Sequence, residues 1–251
     1  EMFQKGGTWK QWLEKRMLRP ITKNLILNMD FVFSYGGKIK DILLENGVAE
    51  EKLILQHGAA DEFWLQDLSK DKSLGNTFLF VGRFEYRKGH HLVNEMMKSF
   101  QGDFLLNMVG DVPLDLQVKD SRIRYLGNQS AENIKEEMKK CTFLLVPSLA
   151  EGFPTIIVEA LAQGLIPIAT NVGAVKEIVN HENGILIDPN SVQELITGMK
   201  KALSLDTEKR KVLSENARKV VENDFNWDKA AKLLIRDIEK SIDSWKRTYS
   251  K

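Results

Sequence analysis

From residue 76 onward the chain alternates two patterns, and this constrains its fold more than any other feature. Short apolar runs recur at 77–81, 104–109, 123–126, 143–146, 166–169 and 185–187. Most are continuous rather than alternating, as strands buried on both faces are. Helical patterns fall between them at 89–100, 131–140, 154–162 and 174–179. Such alternation predicts an α/β fold built on a doubly wound parallel sheet with right-handed crossovers. Ligands of these sheets sit beyond the carboxyl ends of the strands. Three helices should follow, at 192–203, 208–222 and 228–246. Ser191 with Glu194 fits a capping box for the first. The last carries Ala231, Leu234, Ile235, Ile238, Ile242 and Trp245 along one stripe.

Ahead of residue 76 the pattern is sparser. Residues 31–34 and 52–56 read as strands around a helix at 38–46 closed by Gly47. The polar stretch up to Gly75 reads as a linker between two lobes. Residues 9–27 place Trp9, Trp12, Leu13 and Met17 at helical spacing among Lys and Arg, and Pro20 kinks or restarts that helix. Packing on a sheet is its ordinary use; contact with a membrane surface is the alternative.

Composition excludes several function classes. The 251 residues are 43% hydrophobic and 28% charged, enough for a real core. A net charge of +1 gives no bulk attraction for nucleic acid or anionic lipid. One cysteine, Cys141, allows neither a disulfide framework nor a cysteine-rich zinc site and suits a reducing compartment. The four histidines lack metal-ligand spacing, so no metal is expected. No apolar run approaches the roughly 20 residues of a membrane span, and the N-terminal residues lack the apolar core of a signal peptide. The chain opens with Glu1 rather than Met, so a fragment of a longer protein is expected.

The most informative stretch is 147–164, PSLAEGFPTIIVEALAQG. It joins an apolar strand to a helix that Pro154 should start and Gly164 should end. Free N–H groups and the positive end of the dipole suit that junction to an anion. Two carboxylates flank it: Glu151 in the loop, and Glu159 among Ile156, Ile157, Val158, Ala160 and Leu161, where a solvated charge is out of place. A second strand-end loop, Gly82-Arg83-Phe84-Glu85-Tyr86-Arg87-Lys88-Gly89, adds cations on the same sheet edge. There Gly82 admits close backbone approach, while Arg83 and Lys88 pair a planar donor fork with a mobile charge, which suits a diphosphate; standing alone, the loop would read as an exposed basic turn. Gly110-Asp111-Val112-Pro113 and Gly127-Asn128 end two further strands and could wall a nucleoside pocket. Asn183-Gly184 reads as a turn, and Glu177 as a solvated or capping charge. Other frames fail: there is no Walker loop, Gly82 and Gly89 lie too far apart for a dinucleotide fingerprint, and Ser148 is in no nucleophile elbow.

Four runs in order carry a resemblance: Gly82-Arg83…Lys88-Gly89; Pro147-Ser148…Glu151-Gly152-Phe153-Pro154…Glu159-Ala160; Gly173…Glu177-Ile178-Val179; and Asn183-Gly184…Asp188-Pro189. Together they resemble the retaining, nucleotide-sugar-dependent glycosyltransferases of the GT-B fold, family-four type, the glycosyl transferases group 1. The resemblance covers about residues 30–227. It implies a Rossmann-like C-terminal lobe with a partial N-terminal lobe. The expected division is 1–62 for that residual acceptor lobe, 63–75 for the linker, 76–225 for the nucleotide-sugar-binding domain and 226–251 for a crossing helix. That helix should cover the N-terminal segment or leave part of its apolar stripe exposed.

The resemblance also implies roles. Arg83, Lys88 and Glu151 would be catalytic, the two cations offsetting charge on the leaving diphosphate. Donor binding would involve Gly82, Arg83, Lys88, Gly110, Leu126, Glu151, Gly152, Phe153, Pro154, Thr155 and Glu159, with Glu151 at the sugar and Glu159 at the ribose. No metal or resident cofactor is implied; the nucleotide sugar is a substrate. The implied reaction is hexose transfer to a saccharide or lipid-linked acceptor with retention, in polysaccharide biosynthesis. It would occur in the cytoplasm or at the inner face of the membrane, and no nucleic acid would be bound. The chain departs from the family at Val112, where a glycine is usual, and at His57-Gly58-Ala59-Ala60-Asp61. The alternatives are a non-catalytic nucleotide-sugar-binding module that needs a partner lobe or subunit, and an epimerase-like protein acting on sugar nucleotides.

Overall fold

A computed structural model describes residues 19–56, 58–66 and 74–249. The amphipathic pattern at 9–18, His57 and the linker residues 67–73 lie outside the described residues. Helix α1 (Arg19–Leu27) carries Pro20 in its first turn, where its missing N–H leaves no bond unmade. Strand β1 (Val32–Ser34), helix α2 (Gly37–Glu45) and strand β2 (Leu53–Leu55) form a β–α–β unit with parallel strands, Val32 opposite Leu53 and Ser34 opposite Leu55. A short helix α3 (Glu62–Leu65) begins where the Asp61 side chain accepts from the Phe63 N–H, and it buries Trp64.

The remaining strands are β3 (Thr77–Val81), β4 (Leu105–Val109), β5 (Ile123–Gly127), β6 (Phe143–Val146), β7 (Ile166–Thr170) and β8 (Ile185–Ile187). They form one parallel sheet in the order β5-β4-β3-β6-β7-β8. The helices between and after them are α4 (His90–Met97), α5 (Ala131–Lys140), α6 (Thr155–Ala162), α7 (Val175–Ile178), α8 (Val192–Ser204), α9 (Thr207–Asp224) and α10 (Trp227–Tyr249).

Continuous apolar strands are explained by helices on both faces. Side chains alternate across a strand, so Leu79, Leu144, Val146 and Ala169 join the Ile157, Val158 and Leu161 side of the core. Their neighbours Phe78, Phe80, Phe143, Leu145 and Ile168 join Leu92, Val93 and Met96 of α4 and Leu195 and Met199 of α8 on the other. Each such Val, Leu, Ile, Phe or Met side chain, fully buried, contributes about 1.5–3 kcal/mol. Half-exposed positions concentrate at the sheet edges: Arg124 on β5 and Leu186 on β8 face water. Local signals hold as well, since Ser191 Oγ accepts from the Glu194 N–H at 3.1 Å. Helix α10 returns across the chain: Trp245 Nε1 donates to Asp30 at 3.3 Å, while Ile235 and Ile242 of the stripe remain exposed.

Candidate donor site

β3 and β6 are neighbours at the middle of the sheet although two strands and two helices separate them in sequence. Their crossovers leave in opposite directions, β3 toward β4 and β6 toward β7. That is the switch point of a doubly wound sheet, where the strand ends open a crevice. The two loops singled out from the sequence are the ones that emerge there.

Backbone packing stitches these loops together. The Leu149 N–H donates to the Arg87 carbonyl at 2.7 Å. Gly89, at φ +79°, ends the first loop and lies so close to Pro147 that a Cβ would stand 2.1 Å from its carbonyl oxygen. The second loop rests on Gly173 in the same way, where a Cβ would meet the Glu151 carbonyl oxygen at 2.1 Å. The Ala174 N–H donates to the Gly152 carbonyl at 3.0 Å.

Side chains converge on one carboxylate. Lys88 Nζ and Ser148 Oγ each lie 2.7 Å from Glu151 Oε1, and Arg87 Nη1 lies 3.6 Å from Oε2. The Glu151 side chain is only 6% exposed and that of Lys88 18%. A pair so withdrawn from water is held by its hydrogen bonds as much as by charge. Arg83 takes another course: its side chain is 79% exposed and pairs with Glu85 at 3.1 Å, and Glu85 also holds Arg87 at 2.7 Å. The neighbouring His90 is buried, its Nε2–H donating to the Arg83 carbonyl at 3.2 Å, and burial lowers its pKa and favours the neutral ring. Among the described residues, no three His, Cys, Asp or Glu side chains gather as a metal's ligands would.

Other expected residues line the surroundings. Helix α6 begins at Thr155 with Pro154 at its N-cap, and the Ile157 N–H donates to the Pro154 carbonyl at 3.0 Å. The Phe153 ring packs on Tyr35 and Phe225, at 5.4 and 6.1 Å between centroids. Gly110 meets the Gly82 backbone, and its N–H donates to the Gly127 carbonyl at 2.8 Å. Leu126 is half-buried beside it. Val112 is buried, its N–H donating back to the Gly110 carbonyl at 3.1 Å. Asn183 is a turn residue: it is fully buried and its side chain donates to the Ile178 carbonyl at 2.9 Å. Sequence reasoning missed Arg87 and Ser148 as partners of Glu151. Ser148 was legible only as a serine three residues before it.

Glu159 is half-buried on α6, and burial raises its pKa to about 6 despite a hydrogen bond from Thr155 that works the other way. The folded state therefore holds this proton more tightly than the unfolded chain does. The resulting stability is fully present below about pH 4.5 and is lost as the pH rises through about 6, a change of about 2 kcal/mol. Urea melts between pH 4.5 and 7 should show this slope in the native protein and lack it in Glu159→Gln.

A family model described as glycosyl transferases group 1 matches residues 64–220. The chain belongs to that family. An uncharacterized glycosyltransferase of Methanocaldococcus jannaschii is 32% identical over 212 residues, covering 80% of this chain and 57% of the relative. TuaC of Bacillus subtilis, a putative teichuronic acid biosynthesis glycosyltransferase, is 29% identical over 117 residues, 47% of this chain and 30% of its own. Among solved structures, Anabaena HepE in complex with UDP-glucose superposes with a TM-score of 0.71 at 20% identity, covering 90% of this chain and 67% of that one. Sucrose-phosphate synthase from Thermosynechococcus elongatus gives 0.72 at 21%, covering 90% and 61%. These two share the fold, that of the Rossmann-like lobe of GT-B glycosyltransferases. The chain thus spans a little over half the length of the first relative.

Proposed function

We propose that this chain supplies the donor-binding half of a retaining glycosyltransferase that moves a hexose from a nucleoside diphosphate sugar to a saccharide or lipid-linked acceptor. The observation that carries this is the cluster of Lys88, Arg87, Ser148 and Glu151 at the switch point of the sheet. Lys88, with Arg83 swung inward from Glu85, meets the diphosphate and offsets the charge that develops when the C1–O bond to phosphate breaks. Glu151 then turns to the sugar hydroxyls. Glu159 accepts from the ribose hydroxyls, which explains a carboxylate half-buried in an apolar helix. In a front-face transfer the acceptor oxygen bonds to C1 and its proton passes to the departing phosphate oxygen. The UDP-glucose held by HepE supports a nucleotide sugar as the ligand of this fold.

A second observation bears on what else the reaction needs. Among the described residues the β1–β2 pair is a two-stranded sheet, and Phe33 is 54% exposed on it. Ile21, Leu25 and Ile42 are also exposed on the helices of that segment. We read this segment as part of an acceptor lobe whose remainder comes from further chain or from a separate subunit, so donor binding and turnover are separable.

Calorimetric titration with UDP-glucose, UDP-N-acetylglucosamine and GDP-mannose tests the donor assignment. Binding of at least one is expected, and folded protein that binds none would sink it. Glu159→Ala should weaken affinity for the free nucleotide by about tenfold, as one charge-assisted hydrogen-bond partner is lost. Glu151→Ala should instead reduce discrimination between nucleotide sugar and free nucleotide. Equal effects of both on the free nucleotide would show these roles to be misassigned.

A further inference from the structure

Glu177 lies on α7 and is exposed to solvent. Its partner is nevertheless 140 residues away: Glu177 Oε1 accepts the Gly37 N–H at 3.1 Å, at the first turn of α2. Helix α2 has no cap of its own. Its N-cap is Gly36, at φ +81°, which has no side chain to offer. A carboxylate at that end satisfies an orphan N–H and complements the helix dipole. Next to it the Lys38 N–H donates to the Gly173 carbonyl at 2.9 Å. The approach is close enough that a Cβ on Gly37, itself at φ +56°, would stand 2.4 Å from that carbonyl oxygen.

Gly173 is also the residue on which the Glu151 peptide rests. The contacts therefore run from Glu177 to the start of α2, from α2 to Gly173, and from Gly173 to the backbone of Glu151. Phe153, two residues on, is braced from the same side by Tyr35 and by Gly58, where a Cβ would meet its ring at 2.1 Å. Lys176 adds an ion pair with Asp41 of α2 at 3.2 Å. The loop that carries Glu151 is thus supported by the β1–α2–β2 unit as well as by its own sheet.

We propose that Glu177 is a positioning residue for sugar recognition: by fastening α2 onto the Gly173 turn it holds Glu151 and Phe153 at the sugar end of the donor site. The proposal rests on the donor reading above. It separates two parts of one ligand. The nucleotide half is met by Glu159 on α6, which makes none of these contacts with α2, and the sugar half is met by the loop that rests on α2 through Gly173. Loosening the fastening should cost the sugar contact and spare the nucleotide contact.

The test compares native protein, Glu177→Ala and Glu177→Gln by calorimetry with UDP, GDP, UDP-glucose, UDP-N-acetylglucosamine and GDP-mannose. Glu177 is exposed, so truncation should leave the fold intact, and a melting curve for each variant verifies it. Glu177→Ala is expected to reduce the preference for nucleotide sugar over the matching nucleotide by about fivefold, the worth of one helix cap. Affinity for the nucleotide itself should stay within about twofold. Glu177→Gln keeps an oxygen acceptor for the Gly37 N–H and should restore most of the preference. Two results would overturn the proposal: an unchanged preference in Glu177→Ala, or a parallel fall in both affinities with the melting temperature, which marks a general structural role. Native protein that binds no nucleotide sugar would refute the donor reading instead, before any variant is compared.

Discussion

Lys88→Met should lower transfer from the nucleotide sugar by about 10²–10³-fold and destabilise the fold by about 3 kcal/mol. Both effects come from one geometry. Lys88 Nζ is 2.7 Å from Glu151 Oε1, and the Glu151 side chain is almost wholly withdrawn from water. Removing the cation leaves a buried carboxylate with Ser148 at 2.7 Å and Arg87 at 3.6 Å as its partners. Breaking such a pair from one side costs more than the pair is worth, because the remaining charge has lost its solvent and the nearer of its two cations. The donor loses the same cation. Denaturant melts and calorimetric titration separate the two effects, since Glu151→Gln in the Lys88→Met background should regain stability without regaining donor affinity. A Lys88→Met protein with native donor affinity would remove Lys88 from the diphosphate.

Gly89→Ala should be nearly as damaging, although it adds one methyl group and removes no functional atom. Gly89 sits at φ +79°, where an L-residue costs about 1–2 kcal/mol. Its Cβ would also stand 2.1 Å from the Pro147 carbonyl oxygen. That oxygen belongs to the backbone and not to a flexible side chain that can step aside, so the β3 loop and the β6 loop must separate. We expect a loss of about 3 kcal/mol in unfolding free energy and loss of measurable donor binding. Gly152→Ala is the control: it has no positive φ, and nothing lies within 4 Å of its Cβ. Its melting temperature should match that of the native protein. Equal behaviour of the two variants would mean that the loops are not packed as described.

Much of the fold was legible because its signals are local. A buried strand needs an apolar side chain on both faces, and 77–81 and 143–146 spell that out residue by residue. The helix predicted at 131–140 is found with those ends: Ser130 Oγ accepts from the Asn133 N–H at 3.3 Å, and β6 follows at Phe143. The α10 stripe was legible as apolar, but not which part of it would be covered. That depends on β2 and Asp30, far away in sequence.

The site divides along the same line. Sequence alone determined that two glycine-bounded loops end parallel strands, that one carries cations and the other a carboxylate, and that Glu159 on the following helix stands in apolar company. These are properties of composition and spacing. Which loops face each other is a matter of strand order, and only the tertiary structure put β3 beside β6. It also decided among three cations that look alike in sequence. Lys88 turns to Glu151, Arg87 bridges Glu151 and Glu85, and Arg83 stays in water on Glu85. The physical reason is that a charge chooses its partner by distance and burial, and both are set by packing between segments that no local pattern relates. The Gly37–Glu177 bond spans 140 positions for the same reason.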